Sequence, residues 1–120
     1  MSIFRHYVLA AGGTGGHMVP AHAVAQELIA RGHRVALVTD ERGAKIPGLF
    51  ADVQTHILPA GRMDSGMRGW VRGFRQILEG RRMARALYRS FEPSAVVGFG
   101  GYPALPALLG AFAEKIPTII

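Results

Sequence analysis

The sequence predicts a doubly wound parallel α/β sheet, and three observations carry that expectation. Four glycines, Gly12, Gly13, Gly15 and Gly16, separate a short apolar run from a long helical pattern, the order of a strand, a tight loop and a helix. Apolar runs rich in β-branched residues recur along the chain without alternation of polar positions, as strands covered on both faces require. A second glycine-rich stretch, Gly98, Gly100 and Gly101, follows a later run of this kind and again precedes a helical pattern. Strand and helix repeating with short joints imply parallel pairing and right-handed crossovers.

The first strand is read from Tyr7 to Ala11, and the helix after the glycines from Val19 to Arg31, its inner face marked by Val19, Ala23 and Leu28 and its end by Gly32. Arg34 to Asp40 is a second strand. Glu41 to Gly48 reads as a charged loop ending in the turn signal Pro47-Gly48. Val53 to Leu58 is a third strand, stopped by Pro59, and Ser94 to Phe99 a fourth. Between them the apolar residues recur at helical spacing with a change of phase near Gly80, which predicts two helices or one kinked helix. Leu105 to Glu114 is a further helix, and Ile116 to Ile120 a fifth strand. The whole is Rossmann-like.

Composition bounds the chemistry. A chain of 120 residues, 49% hydrophobic and 18% charged, describes one domain able to bury a core. The absence of cysteine excludes disulfides and thiolate chemistry within these residues. Arg5 and His6 precede only about five apolar residues before the glycines, too few for the core of a secretory signal. The longest largely apolar stretch, Tyr102 to Ala113, falls short of the roughly 20 residues of a spanning helix and contains Pro103 and Pro106. His6, His22, His33 and His56 lack metal-ligand spacing, so no metal is expected.

The glycine loops carry the ligand chemistry. Glycine tolerates positive φ and leaves no Cβ between ligand and backbone. Loop amides and the first helical turn, expected to be unpaired, then form a natural seat for a phosphate or pyrophosphate. The dinucleotide fingerprint fails, because Met18 stands where its third glycine belongs, and no Lys followed by Ser or Thr completes a Walker loop. Thr14 and His17 add a hydroxyl and an imidazole that a turn with a packing role alone does not need. Asp40 ends the second strand, where nucleotide-binding folds place a ribose carboxylate and where Asp also turns the chain; the broken fingerprint weighs against the ribose. Both glycine loops leave the carboxyl edge of the sheet, so they are expected to face one site.

The motif GGTGGHMVPAHAVAQEL, from Gly12 to Leu28, closely resembles the N-terminal glycine-rich loop of the MurG family. These are membrane-associated glycosyltransferases that add N-acetylglucosamine to undecaprenyl-pyrophosphoryl-muramoyl-pentapeptide in peptidoglycan synthesis. VVGFGGYPALP, from Val96 to Pro106, resembles that family's second glycine-rich loop, and the two motifs together span most of the chain. The resemblance implies the N-terminal, acceptor-binding half of a GT-B type enzyme, residues 1–120, with the C-terminal donor-binding domain outside this chain. It implies inverting transfer from UDP-N-acetylglucosamine to the C4 hydroxyl of the muramoyl unit without a cofactor, at the inner face of the cell membrane. Thr14, Gly15, Gly16 and His17, with Gly100, Gly101 and Tyr102, are the implied acceptor-side residues; His17, at the helix start, is suited either to hydrogen-bond a pyrophosphate or, as the candidate catalytic residue, to accept the proton of an acceptor hydroxyl. Alone, such a domain is expected to bind weakly and catalyse nothing.

Charge is concentrated in one stretch. Between Gly61 and Phe91 eight arginines face only Asp64 and Glu79, a local balance equal to the formal net charge of +6. One reading is an ordinary amphipathic crossover helix, apolar side on the sheet and arginines in solvent; the alternative is a membrane-contacting surface. In its first half, Met67 to Leu78, Trp70 and Phe74 stand beside Arg68, Arg72 and Arg75, a pattern suited to an anionic membrane surface. The second half, Arg82 to Phe91, is expected to pack on the sheet. No nucleic-acid motif accompanies the arginines, so nucleic acid is not an expected partner. Two other classes stay open: a stand-alone nucleotide- or phosphate-binding module of dehydrogenase type, and a peripheral membrane adaptor with idle glycine loops.

Overall fold

Five strands form one parallel sheet in the order β3-β2-β1-β4-β5, so the strand order reverses between β1 and β4. The computed structural model describes residues 5–13, 15–46, 50, 53–59, 66–101 and 103–120. The elements are β1 (His6–Ala11), α1 (Gly15–Ala30), β2 (Arg34–Thr39), α2 (Glu41–Ala44), β3 (Gln54–Ile57), α3 (Met67–Phe91), β4 (Ala95–Gly100), α4 (Ala104–Ala113) and β5 (Thr118–Ile119). The expected doubly wound α/β sheet is the observed one.

Two cores sandwich the sheet. Val8, Ala10, Ala36, Val38 and Val96 pack against Ala84, Leu87, Tyr88 and Phe91 of α3 and Ala107 and Ala111 of α4. On the other face Leu9, Ala11, Val35 and Leu37 meet Met18, Ala21 and Ala25 of α1. Because neighbouring residues of β1 and β2 serve opposite cores, both faces of these strands are apolar, which removes the polar alternation of a half-exposed sheet.

Several sequence expectations are corrected. The first helix begins at Gly15, not Val19, even though Pro20 then lies inside it and leaves the Gly16 carbonyl without its helical amide donor. Its buried face is Met18, Ala21 and Ala25, whereas Val19 is exposed and Ala23 faces solvent. Valine, isoleucine and alanine occur all round this helix, so its inner face does not stand out by hydrophobicity. Part of the charged loop after β2 is a short helix, α2, capped by Asp40.

The long basic stretch is a single helix across Gly80. A Cβ on Gly80 would lie 2.7 Å from the Pro59 carbonyl oxygen and 2.9 Å from Pro106 Cβ, so this glycine permits a close helix crossing. One buried stripe, Gly73, Ile77, Gly80, Ala84, Leu87 and Phe91, runs nearly the length of α3. Met67, Trp70, Val71, Phe74 and Leu78 form a separate stripe roughly a third of a turn away, and that second stripe produced the apparent change of phase. As expected, the half from Arg82 to Phe91 supplies the contacts with the sheet.

Candidate functional site

At the carboxyl edge β1 and β4 end side by side, with Ala11 opposite Gly100 after a one-residue register shift. The Gly12 amide donates to the Gly100 carbonyl at 3.3 Å, which ties the two glycine loops together at the reversal of strand order. Contact continues beyond that bond: a Cβ on Gly101 would lie 2.7 Å from the Gly12 carbonyl oxygen, and one on Gly12 would overlap Pro103. Gly100 and Gly101 have φ of 111° and 90°, values that L side chains rarely adopt. The loops therefore meet backbone to backbone, which only glycine permits.

His17, in the first turn of α1, sits across this junction. Its Nδ1 lies 3.1 Å from the Gly12 carbonyl oxygen, and its Nε2 lies 3.0 Å from where a Gly100 Cβ would stand. A carbonyl oxygen only accepts, so Nδ1 carries the proton of this bond and the neutral ring keeps its lone pair on Nε2. The half-buried imidazole is thus held between both loops with an acceptor nitrogen at their seam.

The seat for an anion is narrower than the sequence implied. The Gly12 amide is bonded to Gly100, and the Gly13 amide donates to Asp40 Oδ1 at 3.1 Å. The same oxygen accepts the Gly43 amide at 2.8 Å. Asp40 therefore caps α2 and pins the first glycine loop, a use that commits the carboxylate weighed above as a ribose ligand. The amides of Gly15, Gly16 and His17 lie in the first turn of α1, where no carbonyl four residues earlier belongs to the helix to accept them. Thr14 and Tyr102 lie outside the described residues. Arg42 and Pro103 were not singled out in the sequence; the spacing of Asp40 and Gly43, a capping residue three before the amide it holds, was the available signal for α2.

The same edge carries the front of α3. Its last residue, Phe91, reaches the start of β1, where its carbonyl oxygen lies 2.6 Å from His6 Nδ1. By Gly80 the helix is already level with Pro59 and Pro106, which follow the carboxyl ends of β3 and β4. The residues from Met67 to Glu79, about 20 Å of helix at 1.5 Å per residue, project past the sheet on the side of the glycine loops. Met67, Trp70, Val71, Phe74 and Leu78 are 85%, 61%, 49%, 58% and 45% exposed, an apolar stripe that no described element covers. Arg68, Arg72 and Arg75 are exposed along its flank. An open groove of about 600 Å³ lies among Pro59, Met67, Val71 and these arginines. Among the described residues no helix is long and apolar enough to cross a membrane, and no three His, Cys, Asp or Glu side chains group to hold a metal ion.

The model of the glycosyltransferase family 28 N-terminal domain matches residues 7–120. The chain belongs to glycosyltransferase family 28. Within this family it is 66% identical over 116 residues to the UDP-N-acetylglucosamine–N-acetylmuramyl-(pentapeptide) pyrophosphoryl-undecaprenol N-acetylglucosamine transferase of Zymomonas mobilis. It is 62% identical over 120 residues to the transferase of the same name from Sphingopyxis alaskensis. These alignments cover 97% and 100% of this chain but 30% and 31% of the relatives, so the family 28 chain spans under a third of their length. The crystal structure of Acinetobacter baumannii MurG superposes with a TM-score of 0.77 at 29% identity, over 95% of this chain and 33% of that one. The glycotransferase of kitacinnamycin, 23% identical with a TM-score of 0.69 over 95% of this chain and 29% of that one, shares the fold alone. The MurG resemblance read from the two glycine loops is borne out.

Proposed function

We propose that this chain is the acceptor-side domain of an inverting N-acetylglucosaminyltransferase of peptidoglycan synthesis. The donor is UDP-N-acetylglucosamine, held mainly by a C-terminal domain, and the acceptor is undecaprenyl-pyrophosphoryl-muramoyl-pentapeptide. One observation carries the reading: the seam of the glycine loops and the uncovered apolar face of α3 lie on one edge of the sheet. A substrate whose sugar is water-soluble and whose tail is in the bilayer needs both surfaces on one side.

In this reading the first-turn amides of Gly15 and Gly16, with the positive end of α1 behind them, hold the acceptor pyrophosphate. Gly100 and Gly101 form the facing wall, and Thr14 and Tyr102 are assigned to the acceptor through their hydroxyls. The lone pair of His17 Nε2 accepts the proton of the C4 hydroxyl as that oxygen attacks the anomeric carbon from the face opposite the departing UDP. Trp70 and Phe74 enter the headgroup layer, while Arg68, Arg72 and Arg75 attract anionic lipid, placing the enzyme peripherally on the cytoplasmic face. No metal or cofactor enters this scheme. Titration with a short-chain, soluble prenyl-pyrophosphoryl-muramoyl-pentapeptide tests the reading. Saturable binding weakened in His17→Ala supports it; no binding by the wild type contradicts it.

A further inference from the structure

Arg42 presents its guanidinium to the first glycine loop. A Cβ on Gly13 would lie 2.9 Å from Arg42 Nη2 and 3.7 Å from its Cζ, so the cation rests against the loop's backbone. It is exposed, and it makes no ion pair or side-chain hydrogen bond with any described residue. Its position is built. Asp40 caps α2 with the same oxygen that binds the Gly13 amide, so the turn bearing Arg42 and the loop beneath it share one anchor.

The loop itself needs this charge. Gly12 and Gly13 have spent their amides on Gly100 and Asp40, and Asp40 brings a negative charge to the flank where an anion would sit. On that flank neither the Gly12 nor the Gly13 amide is available to an incoming phosphate, and Asp40 repels it. A guanidinium over Gly13 reverses both conditions, because it presents several donors in a fixed plane and offsets the carboxylate.

We infer that Arg42 is a further acceptor-binding residue, contacting a phosphate of the lipid pyrophosphate beside Gly13. This rests on the acceptor reading above and adds the residue that supplies its cationic contact. Arg42 binds and orients; it takes no part in the proton transfer assigned to His17.

The test is calorimetric titration of the full chain with inorganic pyrophosphate, comparing wild type with Arg42→Gln, Arg42→Lys and His17→Ala. Loss of one charge-assisted contact corresponds to about tenfold weaker binding in Arg42→Gln, with Arg42→Lys between it and the wild type. The salt dependence of binding should become shallower in Arg42→Gln. Thermal unfolding monitored by circular dichroism should be unchanged in both Arg42 variants, since the side chain has no hydrogen-bond or ion-pair partner among the described residues. Wild-type binding that Arg42→Gln leaves intact while His17→Ala weakens it overturns the inference but not the acceptor site. No saturable wild-type binding removes the pyrophosphate seat and the inference together.

Discussion

Gly80 and Pro106 bring α3 and α4 into backbone-close contact: a methyl on Gly80 would stand 2.9 Å from Pro106 Cβ and 2.7 Å from the Pro59 carbonyl oxygen. A second contact repeats the arrangement, since a Cβ on Gly110 would stand 2.9 Å from Ala84 Cβ. Small residues on both helices thus set the depth at which α3 lies, and with it the projection of its exposed first half.

Gly80→Ala therefore sets two effects against each other. Helix propensity favours alanine by about 1 kcal/mol, whereas forcing a methyl into a packed contact costs about 1–3 kcal/mol. The neighbours are a proline ring and a backbone carbonyl, neither able to swing aside, so the cost prevails. A fall in Tm of several degrees in calorimetry is expected; a rise would show that α3 can lift off α4.

Tyr88 is buried and donates its hydroxyl to the Ala107 carbonyl at 2.8 Å, a further tie between α3 and α4. Tyr88→Phe should cost about 1 kcal/mol in denaturant unfolding. Burial also raises the phenol's pKa well above its ordinary value of 10.0. A raised pKa in the folded state means stability that is full below pH 10 and declines as the unfolded chain ionises above it. That alkaline decline should be smaller in Tyr88→Phe.

Glu114, just after α4, behaves in the opposite sense. Hydrogen bonds from Arg89 at 3.0 Å and Arg85 at 2.9 Å lower its carboxyl pKa. Its contribution is present above the ordinary carboxylate range and is lost as pH falls through the lowered value. Glu114→Gln should flatten the acid limb of a stability–pH profile and change little near neutrality beyond the loss of partly exposed pairs.

Gly101→Ala should separate the two glycine loops, because its φ of 90° and the Gly12 carbonyl 2.7 Å from the new methyl both oppose the change. In a full-length enzyme carrying this domain, displacement of the reacting hydroxyl by an ångström corresponds to about a hundredfold loss of turnover. Steady-state rates with a soluble acceptor should show that loss in kcat/KM, and an unchanged rate would mean that the second loop does not frame the acceptor.

The sheet was legible because its strands are short apolar runs punctuated by glycine and proline, and because both glycine loops fall after strands that topology places side by side. The inner face of α1 was not, since Val19, Val24 and Ile29 make its outer surface as apolar as its buried Met18 and Ala21. The sequence left α3 open as two helices or one kinked helix because it carries two apolar stripes, only one of them buried. His17 stood out from its position at a helix start. The consumption of the Gly12 and Gly13 amides did not, because it depends on partners at Gly100 and Asp40, distant in sequence. Arg42 was missed for the same reason: its approach to Gly13 follows from α2, which propensity alone did not predict.

Trp70 is the sole tryptophan of the chain and stands 61% exposed in the uncovered stripe of α3, so its fluorescence reports directly on the claim that this face and the glycine loops serve one membrane-bound acceptor. Emission should be recorded with anionic vesicles, with and without embedded undecaprenyl-pyrophosphoryl-muramoyl-pentapeptide, for wild type and His17→Ala. A blue shift is expected on vesicles alone, with binding at lower lipid concentration when the acceptor is present and only that acceptor-dependent gain lost in His17→Ala. An emission spectrum that stays at its aqueous position throughout would contradict a membrane-docked acceptor domain.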